Sequence, residues 1–85
     1  MKQFVPNIGF SFLDWRDKVN QIGKNIRQIR REFGITQTEL AKRIGIFPTV
    51  VSRIESCKFE PRISTVKKAA DALGVDIFDL FREIT

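Results

Sequence analysis

Along most of this chain the apolar residues recur in steps of three and four. That spacing fixes the local structure first, because only an α-helix brings positions so spaced onto one face. Ile22, Ile26, Ile29 and Phe33 form one such stripe, followed by Gly34. Leu40, Ala41 and Ile44 form a second, followed by Gly45, and Val66, Ala69, Ala70 and Leu73 form another, followed by Gly74. Glycine just beyond an apolar stripe is a common helix stop. No stretch alternates convincingly with period two beyond the first few residues, so the chain is read as all-α.

The remaining elements fall between these stripes. Thr36-Gln37-Thr38-Glu39 has the form of a capping box, in which the Thr36 hydroxyl takes the Glu39 amide and Glu39 reaches back. Pro48 suits a first helical position, where its missing N–H costs nothing. The helix it opens is expected to run to about Ser56, with Val51 and Ile54 inward. Pro61 closes a loop, a fourth helix is expected over Ile63–Leu73, and Asp76 is placed to cap a last one from Ile77 to about Ile84, carrying Leu80 and Phe81. At the other end Phe12, Trp15 and Val19 continue the first stripe, with Ser11 as a candidate cap and Asp14 in the first turn. Gly23 weakens a continuous helix by about 1 kcal/mol, so this stretch is expected to be either one long helix or two bent near Asn20 to Gly23. Residues 1–20 are read as a partly helical N-terminal extension and residues 21–85 as the domain. The apolar stripe of the extension suits either its own core or a partner. Association is the preferred reading, since the core is complete without it. Phe78, Phe81 and Ile84 are further candidates for a dimer surface. Removing residues 1–18 is expected to weaken dimers or the binding of the domain to its ligand, measurable by sedimentation and binding.

Composition narrows the function. Eighty-five residues make one small domain. No apolar run approaches the roughly 18 residues of a membrane span, and Met1–Phe10 lacks a signal-peptide core. A single cysteine, Cys57, cannot form an intrachain disulfide, which points to the cytoplasm. The absence of histidine removes Ser-His-Asp and Cys-His catalysis and the usual zinc sites. The chain is therefore read as a non-enzyme with no metal and no cofactor. The net charge is +5, and it is concentrated. Residues 18–62 hold ten basic against four acidic residues, residues 1–17 balance, and residues 63–85 hold three basic against four acidic. A compact basic segment favours a polyanion, most often nucleic acid.

Residues 37–54 carry the most specific pattern. Ala41 is small where two helices must cross closely, Gly45 permits a left-handed turn, and Val51 and Ile54 anchor the second helix. This spacing makes a helix-turn-helix. In such a unit the first helix lies across the DNA backbone and the second projects its exposed N-terminal face into the major groove.

From Ile22 to Phe81 the sequence, IGKNIRQIRREFGITQTELAKRIG followed by IFPTVVSRIESCKFEPRISTVKKAADALGVDIFDLF, resembles the Cro/C1-type (XRE-like) helix-turn-helix family. The resemblance implies a five-helix, lambda-repressor-like bundle that binds double-stranded operator DNA, usually as a homodimer. It implies a repressor-like regulator with its third helix in the major groove. Gln37 matches the position that contacts a phosphate and braces that helix, with Thr38 beside it. The base-reading positions fall on Pro48, Thr49, Val50 and Arg53, with Ser52 adjacent. Arg53 suits a bidentate bond to guanine, Thr49 offers a hydroxyl or methyl, and Val50 a contact to a thymine methyl. Lys58 and Arg62 match phosphate clamps, with Lys24, Arg27, Arg31, Lys42 and Arg43 as second-rank candidates. Arg30 and Glu55 match a structural ion pair. Buried, the loss of one partner costs several kcal/mol; exposed, the pair is worth less than about 1 kcal/mol.

Three departures stand out. Phe47 lacks the side-chain acceptor that often caps the third helix, at a cost of about 1 kcal/mol. Pro48 and Val50 replace polar readers. Cys57 replaces a frequent glycine, where left-handed backbone costs a side chain about 1–2 kcal/mol; a plain substitution is preferred over a redox switch. The recognition surface is thus less polar than usual, leaving part of the readout to methyl contacts and DNA shape. Within the class, a phage-type repressor, the antitoxin of a toxin–antitoxin pair and a restriction-modification controller stay open, with the aromatic extension able to hold another protein. A protein-interaction module that has lost base readout is the competing class, favoured by the apolar Phe47-Pro48-Val50 patch.

Overall fold

The computed structural model describes the backbone of residues 12–82 and the side chains of residues 20–82. Five helices follow in order: α1 (Phe12–Glu32), α2 (Gln37–Ile44), α3 (Pro48–Glu55), α4 (Ile63–Leu73) and α5 (Ile77–Phe81). No strand occurs among the described residues. The core is built from the inward stripes of all five. Ile22, Leu40, Val51, Val66 and Leu80 are its largest fully enclosed apolar side chains. Enclosing each contributes about 1.5–3 kcal/mol relative to exposure, and together they hold helices too short to persist alone.

The first stripe forms one uninterrupted helix of 21 residues, about 31 Å long. The boundary expected between residues 20 and 21 lies inside it. Gly23 does not interrupt this helix. It lies where α1 crosses the end of α3, and a Cβ there would overlap the carbonyl oxygen of Ile54. The residue that weakens the helix is the one that lets the two backbones approach.

The stripe ends earlier than its spacing implies. Phe33 follows the last helical residue and is 53% exposed, so it is not a core residue. It lies at the rim of the bundle, where it lines an open groove with Ile29, Val75 and Arg82. The capping box at α2 is half made: the Glu39 amide donates to the Thr36 hydroxyl at 3.0 Å, while the Glu39 carboxylate accepts from Arg43 Nε at 3.0 Å. Arg43 lies one turn further along, and the opposite charge draws the carboxylate away from the backbone. The third helix stops at Glu55, one residue short of the expected end. The fourth keeps the expected bounds. Asp76 caps α5 and forms a reciprocal box with Asp79, but α5 ends at Phe81 and Arg82 is extended. The cap expected at Ser11, the side chains of Phe12 and Trp15, and residues 83–85 lie outside the described residues.

One anchor was not read from the sequence. Asn25 is completely buried on α1 and donates through Nδ2 to the carbonyls of Leu80 at 2.8 Å and Arg82 at 2.6 Å. It accepts from Gln21 Nε2 at 2.9 Å. These carbonyls lie at and beyond the end of α5, which leaves its last acceptors without helical partners. Asn25 satisfies them and ties α5 to α1. The signal was present, since a polar residue at 25 interrupts the inward face between Ile22 and Ile26.

Candidate nucleic-acid interface

The site begins at the turn between α2 and α3. Gly45 takes the left-handed conformation, φ 90°, and the Ile46 amide donates to the Ala41 carbonyl at 3.0 Å. Ala41, with no exposed surface, lets α3 cross close to α2. From there α3 turns Val51, Ile54 and Glu55 inward. The opposite face carries Pro48, Thr49, Ser52 and Arg53, all exposed.

Glu55 fixes the rotation of α3. Its carboxylate is nearly sealed from solvent and accepts from Arg30 Nε at 2.7 Å, from Arg30 Nη2 at 3.0 Å and from Gln37 Nε2 at 3.0 Å. Arg30 Nη1 donates also to the Ile35 carbonyl at 2.8 Å. The ion pair therefore takes the buried form of the two left open by the sequence. The paired hydrogen bonds to Glu55 hold the Arg30 guanidinium above its ordinary pKa, against the opposing effect of burial. Gln37 joins α2 to the same carboxylate, so two helices, α1 and α2, grip one residue of α3. The fork geometry of arginine makes such a pair directional as well as strong.

The exit from α3 is closed by a left-handed residue that is not glycine. Cys57 has φ 64°. Its amide donates to the Ile54 carbonyl at 3.1 Å and the Lys58 amide to the Arg53 carbonyl at 2.8 Å, which is a complete Schellman closure. The Cys57 thiol lies 3.5 Å from the Asn20 carbonyl of α1. The side chain tucks into the crossing at Gly23, and this contact offsets part of the backbone cost. At the other end Phe47 makes no side-chain cap and is 76% exposed beside Pro48.

The remaining expected contacts are distributed around this core. Thr38 is exposed on the first turn of α2. Lys58 and Arg62 are exposed at either end of the loop before α4. Val50 is only half exposed and packs against the core, so part of its side chain is committed to stability. Gln37 is likewise partly buried by its bond to Glu55. Of the second-rank cations, Arg43 is engaged by Glu39 and by the Ala72 carbonyl at 3.2 Å. Arg27 and Arg31 border a shallow groove with Gln37, Ser52 and Ser56, floored by Arg30 and Glu55.

Comparison with known proteins places this geometry. A helix-turn-helix family profile matches residues 26–80, spanning four of the five helices entirely or nearly so. The chain belongs to the helix-turn-helix family. Among relatives, it is 31% identical over 64 residues to the immunity repressor protein of Bacillus phage phi105, covering 75% of this chain and 44% of the repressor. It thus spans less than half the length of that relative. Among solved structures, it resembles the hypothetical transcription factor NHTF from Neisseria, with TM-score 0.75 and 33% identity over 82% of this chain and 80% of the other. It also resembles the restriction-modification controller protein C.AhdI from Aeromonas hydrophila, with TM-score 0.71 and 25% identity over 74% of this chain and 96% of the other. The helix-turn-helix family chain described here therefore shares its fold with transcription regulators.

Proposed function

We propose that this helix-turn-helix protein is a sequence-specific, DNA-binding transcriptional regulator of repressor type. It places α3 in the major groove and binds a two-fold operator as a dimer. One observation carries this reading: α3 is anchored through Glu55 by Arg30 and Gln37, while its opposite face presents Thr49, Ser52 and Arg53 to solvent. A rigidly held helix with an exposed polar face is what direct base readout requires. Arg53 supplies the bidentate contact, and Lys58 and Arg62 the phosphate contacts that set register. The function is one of binding, not catalysis, and its place is the cytoplasm, where the operator is. The relatives include an immunity repressor and a restriction-modification controller, and this chain fits either role. The antitoxin of a toxin–antitoxin pair is a third, testable by whether an adjacent gene product binds the extension.

The exposure of Phe47 supports a second reading, a protein-interaction module without base readout. Selection of bound duplexes from a random library, at near-physiological salt, separates the two. Enrichment of a palindrome with half-sites about 10 base pairs apart supports the dimeric regulator. A folded protein that enriches nothing, and whose partner binding is nearly insensitive to salt, supports the interaction module.

A further inference from the structure

Lys24, Arg27 and Arg31 stand at i, i+3 and i+7 on α1, a spacing that puts them on one helix face. All three are exposed, and none forms an ion pair among the described residues. The two carboxylates nearest this face are already engaged. Glu55 is neutralised by Arg30, while Glu32 accepts from the neutral Gln28 Nε2 at 3.2 Å and keeps its charge at the edge of the same groove. Among the described residues this face therefore sets three positive charges against the single negative charge of Glu32, a net positive field. It is also placed beside the recognition helix: Arg27 and Arg31 share a groove with Ser52 of α3 and Gln37 of α2, and Lys24 and Gln28 continue that groove along α1.

We propose that Lys24, Arg27 and Arg31 form a phosphate-binding ridge, which grips the DNA backbone bordering the major groove that α3 enters. The inference rests on the DNA-binding reading above and extends the contact surface to a third helix. Seven residues of helix span about 10 Å, while each strand of duplex DNA carries a charge every ~3.4 Å along its axis. The ridge is long enough for at least two phosphates. Its occupant is the sugar-phosphate backbone, because the groove is shallow and net cationic, and is continuous with the surface that faces the bases. Such contacts add affinity and fix orientation without carrying sequence information.

The test compares the wild-type chain with the triple variant Lys24→Gln/Arg27→Gln/Arg31→Gln, on the duplex enriched by selection and on an unrelated duplex, across a salt series. Each phosphate contact contributes about −0.9 to the slope of log affinity against log salt. The triple variant is expected to have a slope shallower by about 2 to 3, with the ratio of affinities for the two duplexes unchanged and the same melting temperature. Arg27→Lys/Arg31→Lys is expected to keep the wild-type slope. A folded triple variant with the wild-type slope overturns the ridge and leaves the DNA-binding reading standing. A wild-type protein that binds no duplex overturns both, and binding of an acidic protein surface in place of DNA does the same.

Discussion

At position 23 the demands of a helix and of its neighbour oppose each other. Alanine would raise local helix propensity by about 1 kcal/mol. Its Cβ would also overlap the Ile54 carbonyl oxygen, which is backbone and cannot rotate aside. Overpacking of this kind costs about 1–3 kcal/mol. Gly23→Ala is therefore expected to lower the melting temperature by several degrees, the opposite of what propensity alone predicts, and a rise would show that the α1–α3 crossing yields. Glu55 poses the complementary case. Arg30→Ala leaves a buried carboxylate without its main partner, and should cost about 3–5 kcal/mol in urea denaturation. Arg30→Met/Glu55→Met removes both charges and should recover most of that stability. Glu55 raises the Arg30 pKa, so the stabilisation this shift adds is fully present below the ordinary arginine value. It is lost only as pH rises through the raised one. Stability measured from about pH 6 to about pH 10 should accordingly show no titration from Arg30.

Among the elements, α3 and α5 have eight and five residues, too few to hold themselves. Each is secured by one polar residue on or against α1. For α3 it is Glu55, and for α5 it is Asn25. Asn25→Ala would leave the Leu80 and Arg82 carbonyls short of a donor, at a cost of about 1–3 kcal/mol. Hydrogen exchange in α5 is expected to accelerate before that in α4; uniform protection across both would show that α5 is held by Leu80 packing alone. The same two helices mark where the sequence was informative and where it was not. Periodicity, glycine stops and the Asp76 cap located every helix, because these signals are local. The exposure of Phe33, the early end of α5 and the diversion of Glu39 to Arg43 depend on which neighbour competes for each group, and spacing does not encode that. Glycine 23 reads as a weakness in one dimension and as a close contact in three. Within the candidate site, Arg30, Gln37 and Glu55 were identifiable by resemblance, whereas their convergence on a single carboxylate needed the fold. The division of Val50 between core and surface needed it too.

On the scale of the whole molecule, the proposed DNA-binding reading draws affinity and discrimination from different surfaces. In that reading Lys58, Arg62 and the α1 cations act on phosphates, and Arg53 acts on a base. Arg53→Ala should lower discrimination at one operator position by about 1–3 kcal/mol, with little change at the others. A uniform loss across sequences would reassign Arg53 to the backbone. The exposed Phe47 beside the readers makes part of this surface apolar. In the same reading, methyl contacts and groove shape supply part of the discrimination.

The division of labour on α3 has a practical corollary. Val51, Ile54 and Glu55 hold the helix in place and Pro48 opens it, while Thr49, Ser52 and Arg53 are exposed and form no ion pair among the described residues. Thr49, Ser52 and Arg53 can be exchanged as a cassette, and the scaffold beneath will present a new set of side chains at the same height and angle. The seam from Glu55 to Cys57 permits no such freedom, since Gly23, Asn20 and Arg30 are fitted to it from the other side. A library built to redirect this protein toward new operators should vary the first face and leave the second untouched.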